Sequence, residues 1–187
     1  MHTSSSPKSL PAKISVIGFG LMGAQISQVL SLSGFEVMTF DINESLLAKG
    51  LDLIKSGKYG LDASVEKGRV TREEAEKALS RISTTASVEK CLDHAHFVLE
   101  AASEELKTKR EIFKKAAALA DRDAVLVTST STLSVSRIGE KLRRKDRERL
   151  AGMHFFNPPQ IMKLVEIVRT RKTNDKIVSR IQAVVRA

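Results

Sequence analysis

A single cysteine, Cys91, excludes an internal disulfide framework in these 187 residues and suits a reducing compartment, so a cytoplasmic location is expected. No apolar run approaches the length of a membrane span, and no membrane partner is expected. The opening Met1 to Pro11 lacks both the apolar stretch of a secretory signal and the arginines of a transit peptide. Polar and punctuated by prolines, residues 1–12 read as a disordered leader or cloning remnant ahead of one domain over 13–187. No internal repeat is visible, and no metal is expected. Negative charge is the scarcer sign: 22 acids against 31 Lys and Arg leave a net charge of +9, which suits an anionic ligand. The densest basic run, Lys141 to Arg149, is interleaved with Asp146 and Glu148 and contains no aromatic residue. It therefore reads as a solvated helix end and loop, and nucleic acid is not an expected partner.

The chain does have a glycine turn in a telling context. Lys13 to Ile17 is a short apolar run, followed by Gly18-Phe19-Gly20-Leu21-Met22-Gly23, a helical pattern over 21–33 that ends before Gly34, the strand-like Phe35 to Phe40, and Asp41. The spacing is G-x-G-x-x-G with an acid 18 residues past the last glycine. Gly18 permits the tight turn, Gly20 lets backbone approach a pyrophosphate, and Gly23 lets the helix sit close to the sheet. The helix then directs its free N–H groups and positive dipole end at the phosphates. A strand before, a helix after and an acid beyond are the context that makes such a turn a dinucleotide site. Asp41 can accept from the ribose hydroxyls and repel a 2′-phosphate, which favours NAD over NADP. It can also serve as a helix cap, although Asn43 can do that alone.

Other short runs rich in Val, Ile and Phe lie near 96–99, 124–127, 151–156 and 164–168. Helical patterns separate them: one from Asn43 carrying Leu46, Leu47, Leu51 and Ile54, a short one over 72–79 behind the capping box Thr71 to Glu74, and others near 105–120 and 134–143. Residues 55–70 are charged and broken by glycines, and read as irregular. Strands alternating with helices predict an α/β fold of Rossmann type, doubly wound, with a mostly parallel sheet covered by helices on both faces. From Thr173 a capped amphipathic helix begins and reaches Ala187 with no stop signal, so the chain is expected to end within or just after its last helix.

A second constellation carries reactive groups. His154 sits in Gly152-Met153-His154-Phe155-Phe156, ahead of Asn157-Pro158-Pro159, and Glu166 sits within Leu164-Val165-Glu166-Ile167-Val168. A carboxylate isolated in a buried strand costs several kcal/mol or protonates, so Glu166 is expected to have a partner. The Asn-Pro-Pro turn can reverse the chain and set His154 beside it. A histidine oriented by a carboxylate suits general base work near neutral pH. Equally open from pattern alone are a core histidine and a partly exposed edge glutamate paired with Lys163 or Arg169. The hydroxyl run Thr128 to Thr132, with Ser134, follows a strand, where ligands bind in open α/β sheets, but it also fits a helix N-cap cluster.

These residues together resemble the NAD-binding domain of the 3-hydroxyacyl-CoA dehydrogenase family, which includes 3-hydroxybutyryl-CoA dehydrogenases. The likeness covers about residues 13–187. It rests on the glycine turn, on Glu100-Ala101-Ala102-Ser103-Glu104-Glu105-Leu106-Lys107-Thr108-Lys109, on His154 to Pro158 and on Lys163 to Ile167. The resemblance implies an oxidoreductase interconverting 3-hydroxyacyl-CoA and 3-oxoacyl-CoA with NAD. It implies His154 as catalytic base, Glu166 as its orienting partner, and Ser131 as the group bonding the substrate oxygen. Gly18 to Gly23, Asp41, Glu104 and Lys109 are implied cofactor contacts, and Lys55 and Lys58 are candidates for the coenzyme A phosphates.

Three departures stand out. Ser129 occupies a position where the family usually has Asn, the segment between the second helix and Thr71 is longer than in many members, and the all-helical domain that follows in the family is not among these residues. That domain supplies part of the acyl pocket and the dimer interface, so a homodimer is expected only of a full-length protein, and weak activity of these residues alone. The alternative is a non-catalytic NAD-binding module. A β-hydroxyacid dehydrogenase of the 6-phosphogluconate type, with a similar glycine turn, is disfavoured because such enzymes use a lysine base on a later helix.

Overall fold

The structure is a computed structural model that describes residues 13–187; the leader expected over 1–12 lies outside the described residues. In chain order the elements are β1 (Lys13–Ile17), α1 (Leu21–Leu32), β2 (Glu36–Phe40), α2 (Glu44–Ser56), α3 (Leu61–Glu66), α4 (Arg72–Ser80) and β3 (Ile82–Thr85). Then follow α5 (Val88–Leu92), β4 (Phe97–Glu100), α6 (Leu106–Leu119), β5 (Val125–Thr128), α7 (Val135–Ile138), a 3-10 turn (Gly139–Lys141) and α8 (Arg144–Arg147). The chain closes with β6 (Leu150–Phe155), β7 (Val165–Arg169) and α9 (Asp175–Val185).

The strands form one sheet in the order β3-β2-β1-β4-β5-β6-β7, parallel throughout except for the antiparallel β6–β7 pair. The fold is the doubly wound, Rossmann-type α/β architecture that the alternation of strand and helix patterns predicts. Every residue of β4 and β5 is buried, as expected of central parallel strands covered on both faces. Side chains alternate between two cores. Ile14, Val16, Val127 and Met153 pack under α1 and α9 with Ile26 and Ile181, while Ile17, Val98 and Leu126 pack under α5, α6 and α7 with Cys91, Phe113 and Ile138. The chain builds outward from β1 to β3, then returns to place β4 on the other side of β1. Between the C-terminal ends of β1 and β4 the direction of winding reverses, and such a point is where open α/β sheets leave a crevice.

Two helix starts follow the sequence closely. Asn43 caps α2 by accepting from the Leu46 N–H at 3.0 Å, and Thr71 and Glu74 form a reciprocal capping box on α4. The region read as irregular over 55–70 contains the one-and-a-half-turn helix α3, and β3 and α5 lie where no element is expected from the pattern. The helix expected over 134–143 is interrupted at Gly139, whose missing Cβ makes room for the Leu150 side chain. Among the described residues, no helix is long and apolar enough to cross a membrane, and no group of three or more His, Cys, Asp or Glu is arranged to hold a metal ion.

Candidate active site

The glycine turn joins the C-terminal end of β1 to α1. Gly18 has φ +96°, and a Cβ there would also press on the Ala101–Ala102 backbone at 2.7–2.8 Å, so only glycine fits. A Cβ on Gly23 would strike the Gly18 carbonyl oxygen. Gly20, the N-cap of α1, is different: a Cβ there would meet nothing within 4 Å, so open space lies in front of the helix N-terminus. No acid occupies the first turn of α1 to compete for that end. A pyrophosphate fits such a cradle.

Asp41, at the end of β2, is pinned to this turn. Its Oδ2 accepts from the Phe19 N–H at 2.8 Å and its Oδ1 from the Ile42 N–H at 2.7 Å. Since Asn43 caps α2, the capping alternative for Asp41 does not hold. Each Asp41 oxygen keeps a further lone pair for a ribose hydroxyl. The Phe19 ring is buried with Leu47, Ile54 and Leu61, and its N–H donates to Asp41. Leu21 is exposed and Met22 half-buried beside it, both on the first turn of α1.

The second constellation assembles at the far end of the same sheet edge. In the β6–β7 register His154 is directly opposite Glu166, and His154 Nδ1 lies 2.9 Å from Glu166 Oε2. Ser131 Oγ lies 3.0 Å from His154 Nε2. A carboxylate only accepts, so Nδ1 carries the proton toward Glu166 and Nε2 receives the Ser131 hydroxyl. These three residues line a groove of about 330 Å³ between the hydroxyl loop and β7, together with Val135, Gly152 and Val168. Gly152 allows that closeness, because a Cβ there would meet Val168 Cβ at 2.9 Å and Val135 Cγ2 at 3.2 Å. The expectation of a buried Glu166 is corrected: β7 is the outer strand, and the glutamate side chain is 55% exposed. It pairs with His154 rather than with Lys163 or Arg169.

The hydroxyl run divides its labour. Thr128 donates to Glu100 Oε2 at 2.6 Å, and Ser134 caps α7 by accepting from the Arg137 N–H. The Thr130 hydroxyl donates to Glu104 Oε1, which also accepts from the Ser131 N–H (3.1 Å), the Thr132 N–H (3.0 Å) and the Thr132 hydroxyl (3.0 Å). Only Ser131 turns its hydroxyl to His154. Partial burial pushes the Glu104 carboxyl up, but the Thr130 and Thr132 hydrogen bonds and the Lys109 charge outweigh it and hold the group at about 2.

Lys109 is 1% exposed; its ammonium donates to Glu100 Oε1 (2.7 Å) and the Ala102 carbonyl (3.3 Å) and lies 3.3 Å from Glu104 Oε2. Glu100, to which the sequence attaches no expected role, anchors this buried cluster; it also accepts from the Ala102 N–H at 2.8 Å. A Glu ending an otherwise apolar strand and a Lys nine residues later on a helix were the signal for it. Lys55 and Lys58 are exposed at and after the end of α2, with Lys58 over the Tyr59 ring, and neither lines the His154 groove. Cys91 is buried, which pushes its thiol up to about 12 and leaves it no nucleophilic role.

Comparison with known proteins places the chain in a family. A model of the family "3-hydroxyacyl-CoA dehydrogenase, NAD binding domain" matches residues 13–187. The mitochondrial hydroxyacyl-coenzyme A dehydrogenase of Sus scrofa is 37% identical over 174 residues, which cover 92% of this chain and 55% of that protein. The 3-hydroxyadipyl-CoA dehydrogenase of Escherichia coli is 36% identical over 168 residues, 90% of this chain and 34% of that one. Among solved structures, a 3-hydroxybutyryl-CoA dehydrogenase from Escherichia coli superposes with a TM-score of 0.87 at 32% identity, over 95% of this chain and 36% of that one. The chain thus spans about half or less of the length of these curated relatives.

Proposed function

The chain belongs to the 3-hydroxyacyl-CoA dehydrogenase NAD-binding-domain family, and from that premise we propose that it takes part in NAD-dependent interconversion of 3-hydroxyacyl-CoA and 3-oxoacyl-CoA, with His154 as the general base. The observation that carries the proposal is the line Ser131 Oγ, His154 Nε2, His154 Nδ1, Glu166 Oε2, with contacts of 3.0 and 2.9 Å. The glycine cradle and Asp41 hold the dinucleotide at the winding reversal, with Leu21 and Met22 on the first helical turn behind the pyrophosphate. Bound NAD supplies the hydride acceptor for alcohol oxidation and, reduced, the donor for the reverse reaction.

The protein's part is proton handling and orientation. His154 Nε2 accepts the proton of the substrate hydroxyl as C3 is oxidised, and returns it when the ketone is reduced. Glu166 keeps Nδ1–H turned toward β7, so Nε2 faces the substrate, and its charge stabilises the imidazolium. Ser131 Oγ, within reach of the same nitrogen, hydrogen-bonds the reacting oxygen. The acyl group occupies the groove between the hydroxyl loop and β7. Val168 of that groove and Ile161, Met162 and Leu164, on the segment leading into β7, form an apolar rim exposed by 40–57%. We propose that a helical unit beyond these 187 residues covers that rim and completes the acyl pocket, as ligand sites often form between domains. Lys55 and Lys58 remain candidates for the coenzyme A phosphates only in that completed site. A cytoplasmic setting belongs to the same proposal, supported by the single, buried, free thiol of Cys91.

The half-exposed Glu166 favours one second reading, a domain that binds NAD without turnover. Oxidation of NADH with acetoacetyl-CoA, measured for wild type and His154→Ala, separates the two. Turnover that depends on His154 supports the dehydrogenase reading, whereas NADH binding without turnover, in longer forms of the protein as well, rejects it.

A further inference from the structure

Glu100 closes β4 with a fully buried carboxylate, which has no surface to offer a ligand. Three donors converge on it: Oε1 accepts from the Lys109 ammonium (2.7 Å) and the Ala102 N–H (2.8 Å), and Oε2 from the Thr128 hydroxyl (2.6 Å). Lys109 supplies the opposite charge that a buried carboxylate requires. Thr128 ends β5 and leads into the hydroxyl loop. Its oxygen, with the proton directed at Glu100, accepts from the Thr130 N–H at 3.3 Å. The Glu100 carbonyl also accepts from the Ser129 N–H at 2.8 Å, so the start of the loop is tied to one residue of the neighbouring strand. Ser131 comes next and places its Oγ 3.0 Å from His154 Nε2.

We propose that Glu100 is a positioning residue: accepting only, it fixes the direction of the Thr128 proton, leaves a Thr128 lone pair to the Thr130 N–H, and so holds Ser131 Oγ on His154 Nε2. The inference rests on the dehydrogenase reading above for its meaning, but its geometry does not depend on it. An ionised carboxylate carries no proton, so each of the three donors meets an acceptor. Charge-assisted hydrogen bonds are also roughly twice as strong as neutral ones, which suits an anchor beneath a loop with no regular structure of its own. An amide of the same shape fails in either orientation. With its oxygen toward Lys109 and Ala102, its NH2 donates to the Thr128 oxygen, and the buried Thr128 proton loses its acceptor. With its oxygen toward Thr128, its NH2 confronts the Lys109 ammonium and the Ala102 N–H, donor against donor.

The test uses the 187-residue chain with labelled histidine, the His154 resonances being assigned by their loss in His154→Gln. Ser131→Ala gives the position of the Nε2 resonance when the hydroxyl is missing. Glu100→Gln is expected to move the resonance toward that position. Thr128→Val, which keeps the shape but removes the hydroxyl, is expected to do the same, and Thr128→Ser, which restores the hydroxyl, to return the signal to its wild-type place. If Glu100 served only the stability of the core, Glu100→Gln would lower Tm while the signal of the folded molecules stayed unmoved; that result overturns the proposal, and so does a Thr128→Ser signal displaced like that of Thr128→Val. In a longer form that turns over acetoacetyl-CoA, Glu100→Gln is expected to cost about a hundredfold in kcat, the scale of a small misplacement far from the chemistry. Should Glu100→Gln fail to fold, the two Thr128 variants decide by the same signal. If acetoacetyl-CoA is reduced by no form, the dehydrogenase reading falls while the spectrum still decides the role of Glu100.

Discussion

His154 and Glu166 are register partners: their Cα atoms pair directly across the antiparallel β6–β7 ladder, and their side chains meet at 2.9 Å on one face of it. Directly opposed residues in such a ladder have Cβ atoms about 5 Å apart, so this contact follows from strand register and needs no long side chain to reach for it. A slip of one residue would send Glu166 to the opposite face and break the pair. The Asn157-Pro158-Pro159 turn and the single antiparallel strand of an otherwise parallel sheet are therefore part of the site.

In a form of the protein that turns over acetoacetyl-CoA, His154→Ala is expected to lower kcat by roughly 10²–10⁴, the range for a positioned general base, with NADH affinity kept. Glu166→Gln keeps the hydrogen bond but removes the charge opposite the imidazolium; since His154 must hold the proton it gives to the ketone, the alkaline limb of the pH–rate profile for acetoacetyl-CoA reduction should move to lower pH. Steady-state rates across pH check both. A His154→Ala protein with near wild-type kcat would end the catalytic reading.

Much of this was legible in the sequence because the signals are local. Gly18 and Gly23 are dictated by steric exclusions within the turn, and Asn43 and Thr71 cap their helices through their own neighbours. The His154–Glu166 pairing was legible because a turn and two short strands suffice to define it. What escaped has non-local causes. β3, Ile82-Ser83-Thr84-Thr85, is an edge strand with one buried residue, so it shows no apolar alternation. The exposure of Glu166 depends on β7 being last in the sheet, which a strand pattern does not reveal. Lys109 enters from the sequence only as an implied cofactor contact, and the fold brings Glu100 beneath it.

Asp41→Ala is expected to erase the preference for NADH over NADPH, since no carboxylate would then face the 2′ position. The same change frees the Phe19 N–H from its 2.8 Å bond, so the turn loosens and both cofactors should bind less well, NADH losing more. Calorimetric titration of the two cofactors into both proteins is the measurement. Equal affinities in wild type, or a preference that survives in Asp41→Ala, would remove Asp41 from the ribose site.

Gly50 on α2 has no partner in the glycine motif, yet a Cβ there would run into the Phe19 ring. Gly50→Ala should therefore overpack this core, at a cost of about 1–3 kcal/mol. For a domain of this size that lowers Tm by roughly 2–12 °C. Because Phe19 also ties the turn to Asp41, NADH affinity should fall along with stability. Thermal melts with and without NADH test this, and an unchanged Tm would show that the ring yields without cost.

The Glu104 carboxyl lies at about 2 in the folded protein against 4.5 in its absence of partners, so its sign in acid is fixed. The unfolded chain takes up a proton as pH drops below about 4.5, while the native state resists until about 2. The contribution of Glu104 is therefore full above that window and is lost progressively within it as pH falls. In Glu104→Gln that part of the acid dependence should vanish: the two proteins differ in stability at pH 7 and converge toward pH 2. Denaturant melts at stepped pH would show it, and a stability difference that stays constant into strong acid would mean the carboxylate charge is not what holds the loop.

The 187-residue chain should bind NADH well and turn over acetoacetyl-CoA weakly. The glycine turn and Asp41 complete the cofactor cradle from within α1, β1 and β2, so nothing else is required for binding. The acid–base pair is in another position: the Glu166 side chain is 55% exposed and that of His154 17%, on the open rim of the groove. Water there screens the charge that should stabilise the imidazolium, and competes for the substrate oxygen. A kcat at least tenfold below the roughly 10 s⁻¹ typical of enzymes is expected, with NADH affinity independent of acyl-CoA. The apolar rim of Ile161, Met162, Leu164 and Val168 should also promote self-association at high concentration, which sedimentation would detect. Full turnover by this chain as a monomer would show that the groove between the hydroxyl loop and β7 needs no cover, and the proposed helical unit would then have no part in the chemistry.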